Sequence, residues 1–391
     1  MTRLFYILLA GETVSSFGNN LFDIAIAWYL YDLTKSSLLV GIISGAFNLL
    51  VLMNLITGFV ADRHVKTQLM RRVDVCQMLI MVVAGAIYGQ RTITLLPFIL
   101  ILFATRFVGT FFNPAEDTLI PQLVERESLA KANGLNQGCT MVAQMIGMLV
   151  GSTLIAWASL ADFMWLNAAT FGISLLCVSV VHHQHHEVLA MSAASDPQDH
   201  WDAGLKYINR TAILRAICTL ALIINLALGP IMSLNVIWVR ENLHSTSFVY
   251  GVMQVALMVG VILGNVAAAA LKIPLKRKMI LSLTLVSVAV IGMVALPTVA
   301  MTFIMRLLIG LGAGTINVAV FTLIQSTTPV SILGRVNGAM LAASNLALPA
   351  GMMLGGLISA VIGVSGVFLV GAIFTLLALL GFARVTVPEL S

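Results

Sequence analysis

A chain of 391 residues that is 59% hydrophobic and 9% charged, with a mean hydropathy of +1.01, has too little polar surface to enclose a core in water; its solvent is a bilayer. The net charge of +5 would suggest nucleic acid in a soluble protein, but here the Lys and Arg excess sits in short loops between apolar runs, which makes it an orientation signal and leaves no nucleic-acid partner. Cys76, Cys139, Cys177 and Cys218 fall in apolar segments without paired spacing, so neither a disulfide framework nor a metal site is expected.

Apolar runs of helical length fall near 5–31, 38–60, 73–89, 95–113, 133–157, 163–181, 213–239, 248–271, 279–296, 301–325, 336–360 and 364–383. The fold class is an all-α polytopic membrane protein with twelve transmembrane helices. The first run has no small-residue cleavage site and a second run follows at once, so it reads as a retained helix. Alternating the loops puts Arg3, Arg63, Lys66, Arg71, Arg72, Arg126, Lys131, Lys206, Arg210, Arg215, Lys272, Lys276, Arg277, Lys278, Arg335 and Arg384 on one side, and Lys35, Arg91 and Arg240 on the other. Both termini are therefore expected in the cytoplasm, in a bacterial inner membrane.

The polar stretch from His182 to Arg210 divides the chain into 1–181, a cytoplasmic linker 182–212, and 213–391. The halves match at a constant offset of 204: Asn113 with Asn317, Thr118-Leu119-Ile120 with Thr322-Leu323-Ile324, Asn133-Gly134 with Asn337-Gly338, and Gly147 and Gly151 with Gly351 and Gly355. A six-helix unit repeated in parallel implies two bundles related by a pseudo-twofold along the membrane normal, with a site near the midplane. The paired glycines, four apart, permit close helix contact, whether as plain packing or as part of gating.

Between the second and third runs stands Gly58-Phe59-Val60-Ala61-Asp62-Arg63-His64-Val65-Lys66, and Asp74 follows in the third. This loop resembles the signature of the major facilitator superfamily. With Ser16-Phe17-Gly18-Asn19, Asn113-Pro114-Ala115 running to Ile120-Pro121-Gln122-Leu123-Val124, and Gly334-Arg335-Val336-Asn337-Gly338, the chain resembles over nearly its whole length the drug-efflux branch that includes macrolide and enterobactin-type siderophore exporters. It departs at Asn19, where the branch commonly has Asp, and at Met148, where the antiporter motif has Pro. Gly58, Asp62, Arg63, Lys66, Asp74, Glu116 and Asp117 form an expected conformational latch: Gly58 permits close helix approach, Asp62 faces a helix N-terminus or an arginine, and Glu116 and Asp117 are candidate partners for Arg63 or Lys66. The simpler reading of Asp62 and Arg63 is a solvated turn.

An ionised side chain at the bilayer centre costs on the order of 3 kcal/mol on insertion scales, so each one needs a reason. Away from loops and helix ends these are Glu12, Asp23, Arg106 and Arg306. Past residue 211 the acids are Glu241 and Glu389, so a membrane carboxylate that carries a proton belongs to the first helix. Glu12, Ser16, Asn19 and Asp23 share one face of it, because seven residues advance a helix by about 700°. Asp23 and Glu12 are the proton-coupling candidates; Asn19, Asn20, Arg106, Arg306, Asn225 and Asn317 are the cavity and substrate candidates. Two readings stay open for several: Glu12 as an interfacial carboxylate, Asp23 as a fixed ion pair with Arg106, and Arg306 as a ligand for an anionic group or for carbonyls of a Gly-loosened helix at Gly310, Gly312 and Gly314.

His182-His183-Gln184-His185-His186 suits a helix C-terminus better than a metal, and Met141, Met145 and Met148 suit ordinary packing. No phosphate-binding Gly-x-x-x-x-Gly-Lys-Ser/Thr loop and no catalytic constellation is present, so an ion gradient, not an enzyme activity or a cofactor, is expected to supply the work. The leading expectation is a monomeric, proton-coupled antiporter that exports amphipathic small molecules. Export of an anionic siderophore, movement of a lysophospholipid, and a non-transporting sensor or scaffold are the alternatives.

Overall fold

The computed structural model describes residues 2–53, 57–58, 60–61, 63–89, 94–184 and 203–384, and among these every regular element is helical. In chain order the longer ones are α1 (Arg3–Thr34), α2 (Ser37–Leu49), α3 (Lys66–Tyr88), α4 (Leu95–Gly109), α5 (Phe112–Leu123), α6 (Leu129–Leu154), α7 (Leu160–Gln184), α8 (Ala203–Arg210), α9 (Ala212–Ser233), α10 (Ser247–Ala270), α11 (Leu275–Ala295), α12 (Val299–Thr327) and α13 (Val330–Ala383), with short helical turns at Leu50–Met53, Arg126–Ser128, Asn235–Ile237 and Trp238–Asn242. Seven continuous helical stretches are long and apolar enough to cross a bilayer, the last of them 52 residues long. Gly363 divides that one, at φ 72°, ψ 169°, a left-handed value that favours a residue without Cβ. With α1, α2, α3 and α6 as the shorter or more polar crossings, the twelve-helix arrangement is complete.

Two places differ from the apolar runs for a local reason. The fourth run continues to Leu123 but breaks at residues 110–111. Pro114 has no N–H to offer Thr110 four residues back, and the orphaned Thr110 carbonyl instead accepts from the Thr57 hydroxyl at 2.9 Å. In the linker, residues 203–210 form a helix, with Gly204 so close to the Arg335 carbonyl that a Cβ would lie 2.3 Å from it.

Packing groups the chain into Met1–Thr34 with Leu50–Ser195, and Lys35–Leu49 with Asp196–Ser391. In the first unit, Phe5, Leu8, Ala61, Met70, Phe112, Ala115, Leu119, Ile120 and Ala132 form one buried cluster. In the second, Leu214, Met279, Ile316, Ala319, Leu323, Ile324 and Val336 form another. The last five positions of the first list are those of the second minus 204, so the repeat is written into the cores. α2 clusters with the second unit because Gly41 and Gly45 meet α13: a Cβ on Gly41 would lie 2.6 Å from Gly356 Cα, and one on Gly45 2.8 Å from the Pro349 carbonyl.

Candidate functional site

In the first unit, Arg106 Nη2 donates to Asp23 Oδ1, and the two side chains are 38% and 39% exposed. Asp23 lies eleven residues before the end of α1 and Arg106 eleven after the start of α4, so at 1.5 Å per residue both sit about 16 Å from a helix end. An ion pair at that depth that is open on one side faces either lipid or water, and lipid would penalise both charges. On the same face of α1, Asn19 and Glu12 are partly exposed and Ser16 is buried; Asn20 donates to the Ser16 carbonyl at 2.9 Å. Glu12 interacts electrostatically with Glu116, Asp74 and Asp117.

The expected latch residues spread over several environments. Asp62 lies outside the described residues. A Cβ on Gly58 would meet no atom of the described residues within 4 Å, unlike the expected close approach, and Ala61 of the same loop is fully buried in the core. Lys66 is buried and donates to the His64 carbonyl at 3.2 Å, while Arg63 is exposed. Asp74 is fully buried well inside α3, because that helix starts at Lys66 and not at the edge of the apolar run; Ser174 of α7 donates to its Oδ2 at 2.9 Å. Glu116 is buried and accepts from Asn136 at 3.3 Å, and Asp117 is exposed. Ser174 and Asn136 escaped the sequence reading; the signal for them was a polar residue on the helical face opposite an acid, which needs the helix pairing to be seen. Of the histidine run, His182 and His183 are described, and His182 Nδ1 meets Thr67 Oγ1 at 2.7 Å.

The second unit holds a cavity of about 240 Å³ that brings Asn225, Arg306 and Asn317 together. Arg306 is fully buried, whereas Asn317, eleven residues further along α12, is exposed. Arg306 Nη2 donates to the Ile231 carbonyl at 3.3 Å, while its Nε and Nη1 have no partner among the described residues. That carbonyl belongs to the last turn of α9, next to the break at Leu234 where a short helical segment, residues 235–242, takes over. The glycines after Arg306 do not loosen α12. They let it touch α10: Cβ atoms on Gly310 and Gly314 would lie 2.1 and 2.2 Å from the Leu257 and Val261 carbonyls.

The paired glycines occupy equivalent seams. On α6, Cβ atoms at Gly147 and Gly151 would lie 2.5 Å from the Phe17 carbonyl and 2.7 Å from the Leu21 carbonyl of α1. On α13, those at Gly351 and Gly355 would lie 2.4 Å from the Leu226 carbonyl and 2.5 Å from Pro230 Cβ of α9.

Comparison with known proteins agrees with this architecture. The chain is 25% identical over 408 residues to the multidrug efflux pump Tap of Mycolicibacterium fortuitum, covering 99% of this chain and 96% of that one. It is 21% identical to macrolide efflux protein A of Streptococcus pyogenes, over 93% and 91% of the two chains. Among solved structures, the nucleoside transporter NupG aligns with a TM-score of 0.78 at 13% identity over 98% of each chain. A bacterial homologue of the iron transporter ferroportin in its inward-facing state aligns with a TM-score of 0.74 at 16% identity, over 98% and 99%. The family described as transmembrane secretion effector matches residues 1–391. The protein is a multi-pass membrane transporter and belongs to that family of the major facilitator superfamily.

Proposed function

We propose that this transporter exports amphipathic small molecules from the bacterial cytoplasm in exchange for protons, as a monomer with both termini cytoplasmic and with 1–181 and 213–391 as the two moving bundles. The observation that carries the proton half of this reading is the Asp23–Arg106 pair: a carboxylate deep in a span, open on one side, and held by a cation that can release it. Protonation of Asp23 would free Arg106, and loss of the proton would restore the pair, so the charge state and the contacts of α1 and α4 change together. Glu12, beside Glu116 and Asp74, is the second proton-carrying candidate. Efflux as the direction is supported by the relatives named for multidrug and macrolide efflux. Asp62, Arg63 and Lys66 are assigned to a latch on the cytoplasmic side.

The experiment is transport in sealed vesicles holding the purified protein, with an imposed pH gradient and a panel of cationic, neutral and anionic amphipathic dyes. At least one dye should accumulate against its gradient, and a protonophore should collapse that accumulation. Dye movement that ignores the pH gradient would overturn the proton coupling; movement of none of the dyes would overturn the substrate class.

A further inference from the structure

From the cavity around Arg306 we infer a subsite for the anionic headgroup of a ligand, so that the compounds this transporter favours are amphipathic anions: an apolar body carrying one carboxylate, sulfonate or phosphate. The inference rests on the transporter reading above and names its substrate class. A fully buried guanidinium carries five N–H donors and a full charge, and leaving either unmet is costly. Here one Nη2 bond to the Ile231 carbonyl, in the last turn of α9, supplies a single uncharged acceptor. Nε and Nη1 remain without partners. Water in the cavity can accept those N–H groups but cannot balance the charge.

No carboxylate among the described residues of the second unit balances it either. Among the described residues of the second unit Glu241 is the one acid, and it is exposed. The ionisable group that interacts electrostatically with Arg306 is the Tyr250 phenol. The contrast with Arg106, which has Asp23, is direct. Arginine presents two planar donor edges, Nε with Nη2 and Nη1 with Nη2, each matching a carboxylate or phosphate with two parallel bonds; the Ile231 carbonyl takes one of the two Nη2 hydrogens, which leaves one whole edge for such a group. The surroundings of that edge fit the rest of such a ligand. The cavity runs from Arg306 past Ala313 to the exposed Asn317, about 16 Å along α12, and its walls are apolar, with Val261 of α10 and Ile231 of α9 among them. Asn225 donates to the Ala221 carbonyl at 2.9 Å, which leaves its side-chain oxygen and second N–H for the ligand. A cation entering this cavity would meet Arg306 with nothing to offset the repulsion.

The test is a binding titration of the full chain in detergent, without any ion gradient, using phenylbutyrate, phenylbutanol and phenylbutylamine, which share one apolar body and differ in headgroup. Trp238 is a built-in reporter, since its ring nitrogen reaches Thr302, one turn before Arg306, at 3.4 Å; thermal unfolding is the second readout. Phenylbutyrate should bind about tenfold more tightly than phenylbutanol, and the amine more weakly than both. Arg306→Gln should erase the acid-over-alcohol preference. Ala313→Phe, which fills the cavity and leaves the guanidinium in place, should weaken phenylbutyrate binding, and it decides the matter with the wild-type ranking if Arg306→Gln yields no folded protein. An amine that binds as well as the acid, a preference that survives Arg306→Gln, or binding indifferent to Ala313→Phe would overturn the subsite. These outcomes are separable from coupling: the expected ranking without uphill transport would sink the proposed function alone, and proton-driven transport with the amine ranked first would sink the subsite alone.

Discussion

The fourth and tenth spans descend from the same element of the repeat, and they have diverged at three positions that decide their chemistry. At the offset of 204, Leu102 aligns with Arg306, Arg106 with Gly310, and Pro114 with Val318. Leu102 is buried as an ordinary core residue, and its counterpart Arg306 is buried just as deeply with a charge. Arg106 stands a turn further along, partly exposed and paired with Asp23, where Gly310 instead packs against α10. Pro114 breaks its span at residues 110–111, while α12 runs unbroken from Val299 to Thr327. The two arginines are thus not a symmetric pair. One is paired with a carboxylate; the other, among the described residues of its unit, meets a main-chain carbonyl and apolar walls. The two halves share one scaffold, and their ionisable side chains stand at non-equivalent positions of it.

The scaffold is what should prove most alike between the halves, and the largest effect tests it. Gly147→Leu and Gly351→Leu each drive a side chain into a backbone carbonyl, with Cβ positions 2.5 and 2.4 Å from the Phe17 and Leu226 oxygens. Backbone cannot swing aside as a side chain can, so each change should cost about 2–3 kcal/mol, seen as a lower unfolding temperature in detergent. Gly134→Ala and Gly338→Ala, at positions open to 4 Å, should lie within about 0.5 kcal/mol of wild type or stabilise the helix slightly. Unequal losses at Gly147 and Gly351 would break the equivalence of the two seams.

The charged sites should separate where the seams agree. With one proton exchanged per substrate, a pH gradient of one unit supports about tenfold accumulation, or about 1.4 kcal/mol. Asp23→Asn keeps the shape and removes the titration, so accumulation should fall to the level seen without a gradient while phenylbutyrate binding in detergent stays at the wild-type value. Arg306→Gln should do the reverse, weakening phenylbutyrate binding while a dye of another charge class is still driven by the gradient. If Asp23→Asn retains uphill transport, Glu12→Gln is the next variant, and survival of both would remove the first helix from the coupling.

Much of this was legible in the sequence, and the reason differs by feature. The spans and the repeat could be read because burial in lipid needs long apolar runs, and because the matched positions Ala115 and Ala319, Leu119 and Leu323, and Ile120 and Ile324 are core residues whose identity packing holds fixed. The four intramembrane charges stood out because each is costly there. What could not be read was who meets whom. Asp74 stood at the edge of an apolar run, but α3 begins at Lys66, which carries Asp74 well into the helix and against Ser174. Arg306 has a partner that leaves no trace in composition, since the Ile231 carbonyl is a main-chain group set beside a one-residue break at Leu234. Gly58 has the residue type for close helix contact, and its neighbour Ala61 makes the packing instead.

The smallest effect concerns the break itself, which one hydrogen bond from a distant residue makes tolerable. Thr57 is buried, and its hydroxyl takes the place of the N–H that Pro114 lacks, reaching the Thr110 carbonyl at 2.9 Å. Thr57→Val keeps the shape and leaves a carbonyl without a donor, so it should destabilise the protein by about 1 kcal/mol. Pro114→Ala returns an N–H at the correct helical spacing, which is the state of the tenth span with Val318, and lets the chain close across residues 110–111. In that background Thr57→Val should cost close to nothing, because the carbonyl no longer depends on the hydroxyl. A double-mutant cycle on thermal stability measures the coupling. Additive losses would mean that Thr57 stabilises α4 and α5 by some other contact, and that the difference between the fourth and tenth spans does not come down to Pro114.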